Sequence, residues 1–200
     1  HDVHPGAFRS ISINPPLPPV SLPTLLNADD WDIDSYLSTF PGYYETGDAG
    51  YQDEDGYLYI MSRTDDVINV AGHRLSTGAM EEAVSNHVDV AECAVIGVLD
   101  NLKGQVPLGL VCLNNGCNKP DEVICKEIID LVRTEIGPVA AFKSVAVVSP
   151  VPKNRSRKIL RSTIRQIEDS VDYAMPATVS NRLVWYEIKK AIKPLGYWEF

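Results

Sequence analysis

Apolar residues recur along this chain with two spacings, one typical of helices and one typical of strands. The clearest helical spacing lies in KPDEVICKEIIDLVRTEIG, residues 119–137, where Ile124, Ile128 and Leu131 form one apolar stripe. A proline and two acidic residues stand at its start, and Gly137-Pro138 ends it, as expected at the two ends of a helix. The sequence therefore predicts a long helix that packs one face on a core.

The other elements are shorter and alternate between strand and helix. Residues 42–62, GYYETGDAGYQDEDGYLYIMS, predict an acidic hairpin whose turn is Asp55-Gly56. The proline-rich residues 1–24 predict an extended edge or connector. Further helices are predicted within 29–42, within 76–87 with Glu81 and Glu82 in the first turn, and over 160–168; further strands are predicted within 66–72, 91–98, 105–113 and 144–149. This mixture predicts an α+β fold in which a small mixed sheet packs with helices.

Composition and charge exclude several classes of protein. The 200 residues are 44% hydrophobic and carry a net charge of -9, values typical of a soluble globular chain. No apolar run is long enough for a membrane helix. General nucleic-acid binding requires a basic domain, and this chain is acidic, so neither nucleic acid nor membrane is expected as a partner.

Cysteine and histidine positions indicate reduced thiols and no metal. The four cysteines include no CxxC pair, which favours buried thiols in a reducing compartment, cytoplasm or mitochondrial matrix. The four histidines have no metal-ligand spacing, and no metal is assigned. Because position 1 is His rather than Met, a processed or truncated upstream part is expected.

A basic stretch stands out against the acidic background. Residues 150–164, PVPKNRSRKILRSTI, contain five cations, which are Lys153, Arg155, Arg157, Lys158 and Arg161. If a helix begins at residue 160, these cations lie at and before its N-terminus, where backbone N–H groups favour a bound phosphate or carboxylate. A solvated basic turn explains the stretch equally well.

Two further short motifs carry candidate binding residues, each with a simpler structural explanation. Asp48 in TGDAG is suited to accept the hydroxyls of a ribose, although an aspartate there more often stabilises a turn. Arg63 next to two aspartates reads most simply as a surface ion pair. In VAGHRLS, Gly72 permits close approach of a ligand, and Arg74 could bind a phosphate with two hydrogen bonds.

These motifs occur in an order that resembles a known family. The segments YYETGDAGYQDEDGYLYIMSRTDDVINVAGHRLSTGAMEE, LKGQVPLG, VRTEIGPVAAFK and PKNRSRKILRS together resemble the C-terminal part of the adenylate-forming acyl-CoA synthetases. They are most similar to the branch that holds propionyl-CoA and acetyl-CoA synthetases. The resemblance implies that residues 1–64 end a large AMP-binding domain, with the hairpin as its remnant. Residues 65–176 would form the mobile C-terminal domain, and 177–200 a tail.

The resemblance implies a ligase reaction and assigns roles to its nucleotide-binding and catalytic residues. Such enzymes convert a carboxylate, ATP with Mg²⁺, and CoA to acyl-CoA, AMP and pyrophosphate through acyl-AMP. Asp48 and Arg63 would hold the ribose hydroxyls, and Arg74 would meet the nucleotide phosphate. Lys158 would bridge the acyl carboxylate and the α-phosphate during adenylation, with its basic neighbours supplying a positive approach. Asp65 would be the hinge residue.

The resemblance also assigns a CoA site and exposes two departures. Ala71 and Gly72 would line the pantetheine tunnel, and Arg133 would face the CoA nucleotide. Arg157 stands where the family usually has glycine, which alters the turn beside Lys158. The chain also contains no Ser/Thr/Gly-rich phosphate loop followed by lysine, so the missing N-terminal large domain is its expected partner. The chain alone is expected to be inactive, and a truncated, non-catalytic CoA- or adenylate-binding or interaction module is the alternative.

Overall fold

The computed structural model describes residues 5–153, 159–161, 164 and 183–196. Within it the chain divides into two compact units, His1–Val67 and Ile68–Phe200. Lys158, Arg157 and most of the helix predicted over 160–168 lie outside the described residues.

The first unit is built on a three-stranded antiparallel sheet. Its strands β1 (Arg9–Ile13), β2 (Tyr44–Gln52) and β3 (Leu58–Arg63) lie in the order β1-β2-β3. The predicted acidic hairpin is therefore confirmed as β2 and β3, and the extended N-terminal segment supplies the edge strand. A positive φ of 88° at Gly56 forms the hairpin turn, as the sequence predicted.

The helix predicted within 29–42 forms as α1 (Asp29–Tyr36), but its apolar side chains stay in contact with solvent. Trp31 is 61% exposed and Ile33 is 53% exposed. The spacing of the apolar residues therefore predicted the helix correctly. Its apolar side chains are nevertheless not buried among the described residues of the first unit.

The second unit contains a five-stranded mixed sheet. Four strands lie in the order β5-β4-β7-β6, and β8 pairs with β7 in parallel. Their bounds are β4 (Val67–Val70), β5 (His73–Ser76), β6 (Val90–Asp100), β7 (Gly104–Leu113) and β8 (Ser144–Val147). The long β6–β7 antiparallel hairpin is the centre of this sheet. The predicted α+β class with a small mixed sheet is confirmed, and β5 is a strand that the sequence pattern did not predict.

Helices cover the second sheet on both faces. Their bounds are α2 (Thr77–Ser85), α3 (Asp121–Glu135) and α4 (Leu183–Ile192). Val95 of β6 packs into the core formed with α2 and α3, while its neighbour Ile96 packs into the core that contains α4. Because both faces are buried, β6 is a continuous apolar run rather than an alternating one. None of the described helices is long and apolar enough to cross a bilayer.

Two details of the predicted helices are wrong. The fully buried residues of α3 are Ile124, Ile128 and Val132, whereas Leu131 is only partly buried, so the packed face of the helix is rotated toward Val132. Glu81 and Glu82 do not lie in the first turn of α2, since the helix begins at Thr77.

Candidate functional site

Two residues proposed to hold a ribose lie directly opposite each other on the β2–β3 hairpin. Asp48 and Arg63 are register partners, and Arg63 Nη1 lies 3.3 Å from Asp48 Oδ1. The same Nη1 donates to the backbone oxygen of Thr46 at 3.1 Å. Asp48 is 32% exposed and Arg63 50% exposed, so the pair is held in place yet open to a solute. The surface ion pair expected between Arg63 and its neighbouring aspartates is a separate contact, formed with Asp65.

Glycine at position 47 makes room for this arginine. Gly47 has a φ of 73°, and a Cβ there would lie 2.5 Å from Arg63 Nη2. The backbone oxygen of Gly47 accepts a hydrogen bond from Thr64 Oγ1 at 3.2 Å. The TGD sequence thus has a structural reason for its glycine, which is the close approach of the guanidinium.

Asp65, the residue assigned to the hinge, extends this group. It lies in a 3₁₀ turn, Thr64–Asp66, which directly follows β3. Its Oδ1 is 3.6 Å from Arg63 Nε, and its side chain is 64% exposed. Arg63 is therefore flanked by Asp48 on one side and Asp65 on the other, and the structure brings these three predicted residues together.

The residues assigned to the pantetheine tunnel form the turn between β4 and β5. Ala71 and Gly72 have φ values of 48° and 88°, the pair of positive values that a two-residue hairpin turn of type I′ requires. Ala71 N–H donates to the backbone oxygen of Lys103 at 2.8 Å, which anchors the turn on the β6–β7 connection. No atom of the described residues lies within 4 Å of a Cβ built at Gly72, so this surface is open to a ligand. Arg74 follows on β5 with an exposed side chain.

Arg133, assigned to the CoA nucleotide, lines a surface cavity. It stands in the last turn of α3, where a cation is favoured by the helix dipole. The cavity has a volume of about 220 Å³ and is shared with Lys143, Phe142 and Pro138. Arg133 therefore has both a helical role and access to a concave surface.

Two cations of the basic stretch are engaged with carboxylates of the fold. Lys153 Nζ lies 2.6 Å from Glu92 Oε1, and Arg161 Nη2 lies 2.7 Å from Glu81 Oε2. The suggestion that every basic neighbour of Lys158 supplies a positive approach therefore needs correction, because these two residues anchor the stretch to α2 and β6. Sequence reasoning missed Glu81 and Glu92, since neither lies near the stretch in the chain.

The backbone on either side of the predicted catalytic lysine is paired. Lys153 and Ile159 form an antiparallel bridge, and Leu160 N–H donates to Pro152 O at 3.1 Å. Ile164 is fully buried in the core that contains α4. The described residues before position 154 and after position 158 are thus paired with each other, while Lys158 itself lies outside the described residues.

One group of side chains among the described residues approaches metal-ligand geometry. Candidate ligand atoms of His87, Asp89 and Glu127 all lie within 4.8 Å of one another. Lys119 Nζ, however, lies 2.9 Å from Asp89 Oδ2 and 2.9 Å from Glu127 Oε2. Hydrogen bonds from Lys119 hold the pKa values of both carboxyls below their usual range. The ammonium already neutralises these carboxylates, and the group is an ion-pair network.

The four cysteines are unpaired thiols, and burial lowers the reactivity of three of them. All four are free and partly buried. Burial raises the pKa of Cys93 to about 11, and it also raises the pKa values of Cys112 and Cys125. These three thiols therefore contain little of the nucleophilic thiolate at neutral pH.

Comparison with known families and proteins identifies relatives of this chain. Residues 79–158 match the family described as the AMP-binding enzyme C-terminal domain. An uncharacterized protein of Pseudomonas aeruginosa is 53% identical over 190 residues, which are 94% of this chain and 30% of that protein. Acyl-CoA synthetase short-chain family member 3, mitochondrial, of Mus musculus is 46% identical over 94% of this chain and 27% of its own length. The chain thus spans less than a third of these relatives.

Solved structures show the same architecture. The amide bond synthetase McbA of Marinactinospora thermotolerans superposes with a TM-score of 0.66 and 26% identity, over 83% of this chain and 32% of that one. The o-succinylbenzoate CoA synthetase of Bacillus subtilis, in complex with its acyl-adenylate intermediate, also superposes with a TM-score of 0.66 and 26% identity, over 82% and 31%. This chain therefore belongs to the adenylate-forming, AMP-binding enzyme superfamily, in which it corresponds to the C-terminal portion of the short-chain acyl-CoA synthetases.

Proposed function

We propose that this chain is the C-terminal part of an ATP-dependent short-chain acyl-CoA synthetase, an acid-thiol ligase that forms acyl-CoA through acyl-AMP. The observation that carries the proposal is the 46% identity, over 94% of this chain, to a relative named as a short-chain acyl-CoA synthetase. Propionate or acetate is the favoured carboxylate, and ATP with Mg²⁺ and CoA are the other substrates. The missing N-terminal large domain completes the enzyme, and this chain is inactive alone.

The ribose of the nucleotide is held by Asp48 and Arg63. A carboxylate accepts hydrogen bonds from two neighbouring hydroxyls, and Asp48 is kept in one orientation by the Arg63 guanidinium, 3.3 Å away. Arg74 supplies a charge for the nucleotide phosphate from β5. The geometry of the hairpin supports the assignment of Asp48 to the ribose, because its carboxylate is already oriented in the absence of a ligand.

Lys158 stabilises adenylation through its ammonium. As the carboxylate attacks the α-phosphate, negative charge shifts between the two groups, and a cation placed between them favours the transition state. The paired backbone at Lys153 and Ile159 supports this role, because it restricts the ends of the segment that contains Lys158. Acylation of this lysine would remove its charge and stop adenylation.

The second half-reaction uses the turn formed by Ala71 and Gly72. Its open surface supports close passage of the pantetheine arm, and Arg133 faces the nucleotide end of CoA. Asp65 is the hinge residue; its position in the 3₁₀ turn before β4 supports this, since the chain divides into its two units at Val67 and Ile68. The compartment is the cytoplasm, with the mitochondrial matrix as the alternative.

Separate measurement of the two half-reactions tests the proposal in the full-length natural protein that contains this chain. Lys158→Ala is expected to abolish acyl-AMP formation, measured as ATP–pyrophosphate exchange, and to leave CoA transfer from supplied acyl-AMP largely intact. Gly72→Leu is expected to do the reverse, because its side chain would enter the open surface and strain a positive φ. Equal loss of both half-reactions in both variants would contradict the assigned roles.

A non-catalytic module that binds CoA or adenylate is the second candidate, favoured by Arg157 in place of the usual glycine. Titration calorimetry of the 200-residue chain with CoA distinguishes it. Binding that Arg133→Ala removes, in a natural protein without ligase activity, would support the module.

A further inference from the structure

The basic stretch, residues 150–164, is attached to the second unit by a carboxylate that is largely shielded from solvent. Glu81 lies on α2 with its side chain 17% exposed, and Arg161 is 19% exposed. Two guanidinium nitrogens of Arg161 donate to the Glu81 carboxylate over distances of 2.7 to 3.1 Å. A guanidinium and a carboxylate that share several hydrogen bonds fix the orientation of each other as well as their separation.

Glu81 is itself fixed by the sheet. Its Oε1 accepts a hydrogen bond from the backbone N–H of Val95 at 2.8 Å, and Val95 is fully buried in β6. Met80, which precedes Glu81 on α2, is also fully buried. Because its helix and its hydrogen-bond partner both belong to the core, the Glu81 carboxylate gives Arg161 a fixed position relative to the sheet.

The second ion pair of the basic stretch is held less firmly. Lys153 Nζ lies 2.6 Å from Glu92 Oε1, with the two side chains 26% and 41% exposed. An ion pair with this exposure is weakened by solvent and contributes little. Glu81 is therefore the stronger of the two attachments that the described residues show.

The backbone around Arg161 passes this fixed position along the chain. Leu160 N–H donates to Pro152 O at 3.1 Å, and Ile164 N–H donates to Leu160 O at 3.1 Å, which is the bond of a helical turn. Ile164 is fully buried in the core that contains α4. The bond between Arg161 and Glu81 thus fixes the start of a turn that is also held by the core.

We infer that Glu81 is a positioning residue of adenylation, which acts through Arg161 on the chain that directly follows Lys158. The inference rests on the proposed function, in which Lys158 stabilises the transition state of the first half-reaction and has no part in CoA transfer. Glu81 therefore contributes to the first half-reaction alone. Because a misplaced transition-state group slows the chemical step, its loss lowers kcat more than it changes the KM for ATP.

The test uses the full-length natural protein and measures ATP–pyrophosphate exchange and, separately, CoA transfer from supplied acyl-AMP. Glu81→Gln retains an acceptor for the Val95 N–H, but it removes the charge and one of the two oxygens that Arg161 contacts. We expect the kcat of exchange to fall at least about tenfold, while the KM for ATP and the rate of CoA transfer change by less than about twofold.

Two further variants test whether Glu81 acts through Arg161. Arg161→Gln should lower the kcat of exchange as much as Glu81→Gln does, and the double variant should lower it no further, because both changes break the same contact. Arg161→Lys, which keeps a cation opposite Glu81, should retain part of the rate. Losses that add in the double variant would overturn the inference.

A matched control separates position from stability. Ile128→Ala empties a fully buried site in the core that contains none of the described residues of the basic stretch. It should destabilise the second unit yet change the kcat of exchange by less than about twofold, at a temperature where circular dichroism shows every variant to be folded. An equal fall in kcat for Ile128→Ala and Glu81→Gln would overturn the inference, as would equal losses of exchange and CoA transfer in Glu81→Gln.

Lys158→Ala, measured in the same assays, distinguishes failure of the inference from failure of the proposed function. If Lys158→Ala abolishes exchange and Glu81→Gln leaves it unchanged, the role of Glu81 is overturned and the ligase assignment stands. If the wild type forms no acyl-AMP, or Lys158→Ala retains exchange, the proposed role of Lys158 and the inference that rests on it are refuted together.

Discussion

Arg161 donates hydrogen bonds from two guanidinium nitrogens to the carboxylate of Glu81, which lies 80 positions earlier in the chain. Nη2 lies 2.8 Å from Oε1 and 2.7 Å from Oε2, and Nε lies 3.1 Å from Oε1. Glu81 Oε1 also accepts the backbone N–H of Val95 at 2.8 Å. The side chains are 19% and 17% exposed, so a largely buried carboxylate connects α2, β6 and the basic stretch.

Removal of this carboxylate is expected to destabilise the second unit strongly. Glu81→Ala leaves the Arg161 guanidinium and the Val95 N–H without this acceptor, so the free energy of unfolding should fall by about 2–4 kcal/mol. Urea denaturation followed by circular dichroism measures the change. The neighbouring exposed residue of the same helix provides the control, and Glu82→Ala should change the free energy by less than about 0.5 kcal/mol. Similar losses in both variants would show that the pair contributes no particular stability.

Gly47 should be more sensitive to substitution than another glycine with the same backbone strain. Gly47→Ala and Gly56→Ala both place a side chain at positive φ, which costs about 1 kcal/mol. Only Gly47→Ala also displaces the Arg63 guanidinium, since the Cβ at Gly56 meets its nearest atom, Gln52 Nε2, at 3.8 Å. We expect a greater loss of stability at position 47 and, in the full-length protein, a higher KM for ATP there alone. Equal KM values for ATP in the two variants would show that Arg63 has no role in nucleotide binding.

The tail helix α4 is expected to belong to the folded core. Ile188→Ala empties a fully buried position in the cluster that also contains Ile96 and Leu108, and it should lower the free energy of unfolding by about 2–4 kcal/mol. Tyr186→Ala, at a position that is 71% exposed on the same helix, should have an effect below about 0.5 kcal/mol. Thermal or urea unfolding of the two variants provides the comparison. A harmless Ile188→Ala would mean that α4 does not pack on the sheet.

Acid should remove the stabilisation that the Lys119 network provides. Hydrogen bonds from Lys119 lower the pKa values of Asp89 and Glu127, so their contribution is present above the unfolded-state pKa values of about 3.9 and 4.3. It is lost as pH falls through the lowered folded-state values. The pKa of Lys119 is raised by the same bonds, so its ammonium stays charged throughout the acid range, and the loss at low pH comes from protonation of the two carboxyls.

The measurement compares urea midpoints of the wild type and Lys119→Met from pH 7 to pH 3. The wild type should have the higher midpoint at neutral pH, and the difference should shrink once the pH falls below about 4. Lys126→Met, which removes an exposed lysine outside the network, should leave the midpoint unchanged throughout. A difference that stays constant down to pH 3 would exclude the two carboxylates as its origin.

Local pattern was sufficient for much of the fold. The four-residue spacing of Ile124 and Ile128, close to one helical turn, predicted α3, and the turn residues Asp55-Gly56 predicted the hairpin of β2 and β3. These features depend on neighbours in the chain, so the sequence contains the information directly. The family motifs similarly identified Asp48, Arg63, Gly72 and Arg133 as candidate site residues, and their proposed roles stay predictions.

Long-range contacts decided what local pattern could not. The sequence by itself determined the α+β class, the hairpin and the adenylate-forming motifs, because each is encoded by residues close together in the chain. Only the tertiary structure showed that Glu81 and Glu92 engage cations of the basic stretch, and that Lys143 and Arg133 share a cavity. Pairs of residues separated by up to 80 positions come into contact because helices pack on both faces of one sheet. The local periodicity of the sequence cannot predict which side chains this packing brings together.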